Sequence, residues 1–522
     1  MTAPALVTAT PVDRIAMSAA PADVCLIVEG CYPYVPGGVS AWIDWLMRSQ
    51  PQTTFSVVSL WPKPMGLKSR YTAPANLVGF EHLYLQQFGS APKRFSGIGS
   101  HVPQLSEALT ELMTKGGQAS LAATMAELHE VRAKSSLAAL FNSPAAWRIV
   151  QDMYRREMPN GSFLDYFWAW RALLSGLLAV LEHPLPKAGV YHTISTGYAG
   201  LLAARARLET GRPTVLTEHG IYTNERRIEL LMADWVADTI DKGHALDDPR
   251  FDLRDMWVRA FEAYARTCYE TSTHVVTLYG DNQGPQRNLG AQDSQLSVIA
   301  NGIDVKRFAH LKAAPDTARP TMALIGRVVP IKDVKTFIEA ARHLSLRIPD
   351  LRALVVGPTE EDPVYFEECR ALVETHGLAK TVEFTGPVNI LDYLEKIHVM
   401  VLTSLSESQP LVVLEAGAAG IPFIATDVGS CREIIEGRTQ EHPHLGRGGT
   451  ITHLAAADEI ADAAEALLRD HALRRRAGDA LKARVSKYYT SEQAAGAYNV
   501  LYSSLIAAPG DAGSDASATG GL

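Results

Sequence analysis

Cysteine is scarce and unpatterned in this 522-residue chain: Cys25, Cys31, Cys268, Cys369 and Cys431 form no CxxC pair and show no metal-ligand spacing. An odd count at such separations argues against a disulfide framework and reads as reduced, cytosolic thiols. Long apolar runs are missing too. ALLSGLLAVL at 172–181 falls far short of the roughly 20 residues that cross a bilayer, so no transmembrane span is predicted and membrane contact would go through a partner. Positive charge is not in excess: 49 Lys and Arg against 57 Asp and Glu leave a formal net charge of -8. A general nucleic-acid binder needs a basic face to displace phosphate counterions, so none is expected here, and any phosphate site must be local. The start, MTAPALVTATPVDRIAMSAAPAD, lacks the basic residues and sustained apolar run of a signal peptide and is expected to be a disordered leader over 1–22. GxxxxGK[ST], HExxH and DxD are all absent. The last is the metal-holding pair of single-domain, metal-dependent sugar-nucleotide enzymes.

What is present is a repeated rhythm of short apolar strand, glycine-bearing loop and helix. From Asp23, DVCLIVEG reads as a strand, CYPYVPGGVS as a turn region and AWIDWLMRS as a helix, a βα unit. The rhythm returns at TTFSVVSL, GVYHTIS, PTVLTEHG, THVVTLYG and LSVIANG, which implies a mostly parallel sheet covered on both faces. Between about 84 and 186 it stops, and helical segments predict an insertion whose aromatics Tyr166, Phe167, Trp168 and Trp170 are expected in the core. A second series runs from TMALIGRVV at 321–329 through RALVVGP, TVEFTG, HVMVLTS, PFIAT and GTITH. Two doubly wound, Rossmann-like α/β domains are therefore expected, 23–315 and 316–490, joined through a Pro/Ala-rich linker near 305–320. A C-terminal helix over 491–507 is expected to pack back on the first domain, and 508–522, rich in Gly, Ala, Ser and Asp, to be a disordered tail.

The segment SLSESQPLVVLEAGAAGIPFIAT at 404–426 carries two carboxylates in an apolar setting. With HVMVLTS as a strand, Pro410 in the first turn of the next helix and Gly420 ending it, Glu407 falls in the loop at the strand's carboxyl end. Glu415 falls about one and a half turns into the helix, so both can face the crevice where doubly wound folds bind ligands. A carboxylate accepts two hydroxyl protons at once, which suits vicinal hydroxyls. The exposed helix N–H groups at Glu407–Leu411 suit anionic or hydroxyl-rich ligands. Taken alone, the pair could equally be a loop residue and a helix-surface residue. In GRVVPIKDVKTFIEA, Arg327 at a strand end and Lys332 before a helix starting near Asp333 could neutralise a diphosphate. In the first domain Gly37 and Gly38 precede a helix, where backbone N–H groups can approach a phosphate or sugar. TEHG places Glu218, His219 and Gly220 at another strand end, where His219 could serve a substrate hydroxyl or a purely structural role.

Together these residues carry a resemblance. SESQPLVVLE resembles the ExxxxxxxE signature of retaining GT-B glycosyltransferases of family GT4. GRVVPIKDVKTFIEA and VIANGIDVKRF resemble that family's G-R-x4-K and interdomain segments. DVCLIVEGCYPYVPGGVSAWIDWLM, TEHGIYTNERRIEL and the helical insertion resemble the PelF-type glycosyltransferases of Pel exopolysaccharide synthesis. The resemblance implies a GT-B fold whose two domains face a cleft, and a retaining, metal-independent transfer of a hexose from a UDP-sugar, UDP-glucose favoured, to a growing polysaccharide. It implies no cofactor beyond that donor. It further implies that Arg327 and Lys332 bind the donor diphosphate and Glu415 the ribose hydroxyls. Glu407, with the Ser408, Gln409, Pro410 and Leu411 backbone, would hold the donor sugar. Gly38, after Gly37, would lie near the diphosphate, His219 near the reacting sugar, and the 383–389 turn with Val388 against the base, largely through backbone. The implied partners are membrane-embedded Pel synthesis components, with the chain cytoplasmic and recruited to the inner membrane through them. Two rivals remain open from the residues: a UDP-sugar 2-epimerase or hydrolase of the same fold, and a non-catalytic nucleotide-sugar-binding assembly subunit.

Overall fold

The computed structural model describes residues 10–87, 101–133, 137–231, 252–439 and 441–507. The first nine residues of the expected leader, the expected tail 508–522 and stretches 88–100 and 134–136 of the expected insertion lie outside the described residues. The chain divides into two compact units, the first made of 1–277, 282–298 and 498–522, the second of 278–281 and 299–497.

In the first unit seven strands, β1 (Ala22–Glu29), β2 (Phe55–Trp61), β3 (Leu77–Tyr84), β4 (Ala188–Thr193), β5 (Thr214–Glu218), β6 (His274–Thr277) and β7 (Leu296–Val298), form one sheet. Its order is β3-β2-β1-β4-β5-β6-β7, and every pairing is parallel. Helices on both faces leave the central strands no contact with water, so every residue of β2 is buried and the strand reads as an unbroken apolar run. The strand β3 escapes the sequence pattern because it is an edge: Glu81 and His82 interrupt its apolar positions, and Gly79 sits under Met17, whose sulfur would be 2.6 Å from a Cβ there.

That packing corrects the expected disordered leader. From residue 10 onward the chain is pinned against β3 and its approach: Ala73 N–H donates to the Thr10 carbonyl at 2.8 Å, Phe80 N–H to Ile15 at 3.1 Å, and Ser18 N–H to Val78 at 3.1 Å. Val12 is fully buried. Spare hydrogen-bonding groups of an edge strand are a ready template for such pairing.

The expected insertion is helical, with helices Val102–Thr114, Gln118–Arg132, Leu137–Phe141, Pro144–Glu157 and Phe163–Glu182. The last is 20 residues long, twice the apolar run visible in the sequence, and among the described residues it is the one helix long and apolar enough to cross a membrane by length and composition. Residues 173–181 are buried without a break in the hydrophobic core of the first unit, where a core helix belongs. Tyr166 and Trp170 are buried as expected and Phe167 packs against that core, but Trp168 is 60% exposed. Helical spacing turns it away from the stripe that carries Tyr166 and Trp170.

The second unit holds a six-stranded parallel sheet of β8 (Thr321–Ile325), β9 (Arg352–Val356), β10 (Val382–Gly386), β11 (Val399–Leu402), β12 (Phe423–Thr426) and β13 (Gly449–Thr452), in the order β10-β9-β8-β11-β12-β13. All six coincide with strands read from the sequence. The main stretch of the unit begins at Ile299 rather than 316. Ile303 and Phe308 are buried in its core, and Ile303 exchanges backbone hydrogen bonds with Tyr489 and Ser491 at 3.0 and 2.9 Å, so the chain from Ile303 to Phe308, at the start of the expected linker, packs as part of the second unit. The helix Ser491–Ala507 divides at Tyr498. From there it belongs to the first unit: Tyr498 and Tyr502 are buried, the Tyr502 hydroxyl bonds His192 Nδ1 at 2.7 Å, and Asn499 Nδ2 donates to Gln50 at 3.2 Å.

One buried ion pair secures the second unit. Arg484, on the helix His471–Tyr488, is fully buried and donates to both Glu441 oxygens at 2.7 and 2.8 Å and to the carbonyls of Ile434 and Ile435. Those hydrogen bonds hold the Glu441 carboxyl below its ordinary value of 4.5. Arg484→Ala leaves Glu441 unpaired, and chemical denaturation is expected to register a loss of about 3–5 kcal/mol. Because the folded value is depressed, the parent's advantage over Glu441→Gln is fully present above pH 4.5 and shrinks as the pH falls through the folded value.

Candidate functional site

In each sheet the strand order reverses beside the first strand, between β1 and β4 and between β8 and β11. Parallel pairing puts all carboxyl ends at one rim of the unit, and the crevice at the reversal is where such sheets accept ligands.

In the second unit the loop after β8 is shaped by Gly326, whose N–H bonds the Val356 carbonyl at 2.9 Å. A short turn, Pro330–Lys332, follows, and Asp333 takes a left-handed conformation with φ +44°. Asp333 caps the helix Val334–Ser345 by accepting from Thr336 N at 3.3 Å and Oγ1 at 2.6 Å. The cap therefore sits where the sequence reading starts the helix, and Lys332 is held one residue before it. Two further bonds join this loop to the one after β11: Thr403 Oγ1 donates to the Lys332 carbonyl at 2.7 Å, and Leu405 N–H to the Ile331 carbonyl at 2.9 Å. That junction brings Lys332 Nζ onto Glu407 Oε1, which also accepts from Ser404 Oγ at 2.7 Å. The lysine and glutamate side chains are only 23% and 14% exposed.

Beyond Glu407 the backbone is clamped. Gly429 has φ +53° and passes so close that a Cβ would lie 2.1 Å from the Ser408 carbonyl, which accepts from Ser430 N–H at 2.7 Å. Gln409 is buried, its Oε1 accepting from Asn301 N–H at 2.6 Å. Pro410 is the cap residue of the helix Leu411–Ala419 rather than part of its first turn, because its ψ of 116° is extended. No side chain caps this helix start, and Leu411 is exposed. Ser408 Oγ, Gln409 Nε2, Ser430 Oγ and Asn301 Oδ1 are buried with no hydrogen-bond partner among the described residues. Such groups cost free energy unless a ligand or water completes them.

The other expected residues of this unit are not gathered into that junction. Arg327 is exposed and paired with Glu361 on the surface. Glu415 lies in the second turn of its helix, one turn in rather than one and a half, and burial pushes its carboxyl above the usual range, opposed by the charge of Arg307. Val388 stands 36% exposed in the turn after β10. Ser404, Thr403, Gly429 and Glu361 were not read from the sequence. Ser404 alone offered a signal, lying three residues before Glu407 in the same loop.

In the first unit Gly37 precedes the helix Gly38–Ser49, whose start has no side-chain cap. A Cβ on either glycine would meet nothing within 4 Å, so space beside this backbone is open. His219 follows β5 and lines a cavity of about 370 Å³ with Glu29, Ser195, Tyr222, Glu225 and Arg226. His219 packs edge-on against Trp42, 4.6 Å between ring centroids. Its Nε2, Ser195 Oγ and Arg226 Nε are buried without partners among the described residues. Glu29 occupies the start of the helix Gly197–Thr210, accepting from Ala199 N–H at 3.1 Å and from the Tyr222 hydroxyl at 3.3 Å. That helix end is thereby closed to a second anion. Glu218 points elsewhere: it accepts from Tyr269 at 2.6 Å and Gln286 at 2.9 Å and ties β5 to neighbouring helices, with burial raising its carboxyl to about 7. Among the described residues no group of three or more His, Cys, Asp and Glu side chains is placed to hold a metal ion.

Burial lowers the His219 imidazole from 6.5 to about 4. Between those values the unfolded chain takes up a proton that the folded chain refuses, so this contribution is complete above pH 6.5 and lost as the pH falls toward 4. Glu29 and Glu218, both raised by burial, act in the opposite sense. The expected outcome is therefore read as a difference: in urea unfolding from pH 4 to 8 the slope of stability against pH is more positive for the parent than for His219→Asn, by up to about 1.4 kcal/mol per pH unit.

Residues 22–294 match the family described as "Domain of unknown function (DUF3492)", and residues 305–484 match "Glycosyl transferases group 1". The lipopolysaccharide core biosynthesis mannosyltransferase LpsB of Rhizobium meliloti is 32% identical over 220 residues, 40% of this chain and 61% of that protein. The D-inositol 3-phosphate glycosyltransferase of Kribbella flavida is 26% identical over 63% of this chain and 84% of its own length. Among solved structures, sucrose-phosphate synthase of Thermosynechococcus elongatus has a TM-score of 0.58 at 16% identity, over 93% of this chain and 100% of the other. Anabaena HepE in complex with UDP and glucose has a TM-score of 0.54 at 15% identity, over 92% and 99%. These likenesses establish two Rossmann-like domains of the GT-B type, and the chain belongs to the DUF3492 family, with a glycosyl transferases group 1 domain following in its second half.

Proposed function

We propose that this protein is a glycosyltransferase that moves a hexose from a UDP-sugar, UDP-glucose favoured, to a growing polysaccharide, with retention of configuration and without a metal ion. The observation that carries the reading is the Lys332–Glu407 pair, fixed where the sheet order reverses between β8 and β11 and followed by Ser408 and Gln409, which have buried polar atoms without partners among the described residues. A diphosphate entering there takes over the Lys332 ammonium, and Glu407, freed from it, is left to accept hydroxyl hydrogen bonds from the sugar. Arg327 leaves its surface partner Glu361 to add a second cation, so that two cations do the work of a metal as charge grows on the departing UDP. Glu415 takes the ribose hydroxyls, the 408–411 backbone the donor sugar, and the turn with Val388 the base. In the first unit the Gly37–Gly38 amides can serve a phosphate, and His219, neutral at pH 7, has a buried Nε2 without a partner among the described residues that can serve a sugar hydroxyl.

The group 1 domain and the glycosyltransferase relatives support sugar transfer, and the UDP and glucose held by HepE support the donor class. The motif resemblance supports a Pel-type polymer as product, a cytoplasmic location and membrane-embedded synthesis components as partners. The test is calorimetry and UDP release with UDP-glucose, UDP-N-acetylglucosamine, UDP-N-acetylgalactosamine and a GDP-sugar. The expected outcome is UDP-sugar binding with acceptor-linked product. Lys332→Ala and Arg327→Ala are expected to lower turnover roughly 100- to 1,000-fold with little change in unfolding midpoint for the exposed Arg327. Binding of no donor, free sugar as sole product, or parental turnover in both variants overturns the assignment.

A further inference from the structure

A second cavity lies at the carboxyl rim of the first sheet, at the ends of β2 and β3. Its volume is about 260 Å³, and Tyr34, Trp61, His82, Tyr84 and Lys63 line it beneath the loop of Pro64 to Leu67. This is below the ~300–1,000 Å³ of pockets for drug-sized ligands, a space for one ring rather than a nucleotide. Three of its rings run nearly parallel: Tyr34 and His82 are 5.7 Å apart at 9°, and His82 and Tyr84 5.4 Å apart at 9°. Trp61 stands edge-on to Tyr34 at 5.5 Å.

Trp61 and Tyr34 have their polar atoms anchored. Trp61 Nε1 donates to Ser59 Oγ at 2.8 Å, and the Tyr34 hydroxyl shares a 2.7 Å hydrogen bond with His82 Nε2. Aromatic faces packed in this way, beside the exposed Lys63, suit a ligand with an apolar C–H face and a hydroxyl rim. A pyranose ring has that surface, and the negative π-face attracts its C–H groups. The cavity shares its walls with the His219 cavity: Leu60 and Pro62 line the latter, Trp61 and Lys63 the former, and Leu85 and Tyr84 divide in the same way. Alternation along and just past β2 and β3 thus sets the two cavities on opposite faces of the sheet at the same rim.

We infer that the Tyr34, Trp61, His82 and Tyr84 cavity is a distal subsite that holds a sugar unit of the polysaccharide acceptor, set back from the unit that reacts beside His219. The inference rests on the transferase reading and adds to it a preference for chains over single sugars. Cello-, malto- and chito-oligosaccharides of two to six units are titrated by calorimetry into the full chain saturated with UDP, using the parent, Tyr84→Ala and the surface variant Lys63→Ala. For at least one series the parent is expected to tighten tenfold or more between two and four units. Tyr84→Ala is expected to abolish that gain while disaccharide affinity is unchanged, and Lys63→Ala to reduce it. No binding of any series, length-independent affinity in the parent, or a parental length dependence in both variants overturns the subsite. UDP binding measured in the same samples separates the two readings. Its loss in the parent counts against the donor site, whereas a length dependence that vanishes in Tyr84→Ala stands without it.

Discussion

Parallel strand pairing is the constraint on which the rest of this structure depends. In both units every strand runs the same way, so every strand-to-helix loop is delivered to one rim. Chemistry-bearing residues that lie far apart in the chain, such as Lys332 and Glu407, meet because their loops follow strands that are neighbours in the sheet. A parallel sheet must also bury both faces, which accounts for the unbroken apolar strands and for the bulky helical layer between β3 and β4.

At the rim of the second unit, charge and backbone geometry support each other. Lys332 and Glu407 neutralise one another in a largely enclosed place where a lone charge would be costly. Thr403 and Leu405 fix the loops that carry them, and Gly429 lets the chain pass against Ser408. The pair thus acts as a placeholder: an anion can replace the carboxylate at the ammonium, and a hydroxyl can replace the ammonium at the carboxylate. The first unit contributes differently, through neutral imidazole and aromatic faces, with Glu29 closing a helix end that could otherwise attract phosphate.

Most of the architecture was legible because its cause is local. Apolar runs broken by glycine loops mark strands that must be buried on both faces, and all six strands of the second sheet follow from them. Where local pattern and tertiary role part, the reading slipped. The edge strand β3 carries Glu81 and His82, and the stretch from residue 10 has no strand or helix periodicity yet is pinned to that edge by backbone bonds. Trp168 has the same chemistry as Trp170 but the opposite exposure, since only helix phase distinguishes them.

For the candidate site, the sequence by itself nominated candidates, Arg327, Lys332, Glu407, Glu415, the Gly37–Gly38 turn and His219, because residue type and position along a βα unit point toward a rim. Only the tertiary structure decided who meets whom. It joined Lys332 to Glu407 through Ser404 and Thr403, gave Arg327 to Glu361, left Glu415 apart, and set Tyr34, Trp61, His82 and Tyr84 around one cavity. The physical reason is that strand order, loop hydrogen bonds and close backbone passages such as Gly429 on Ser408 act between segments tens to hundreds of residues apart, which no local pattern records.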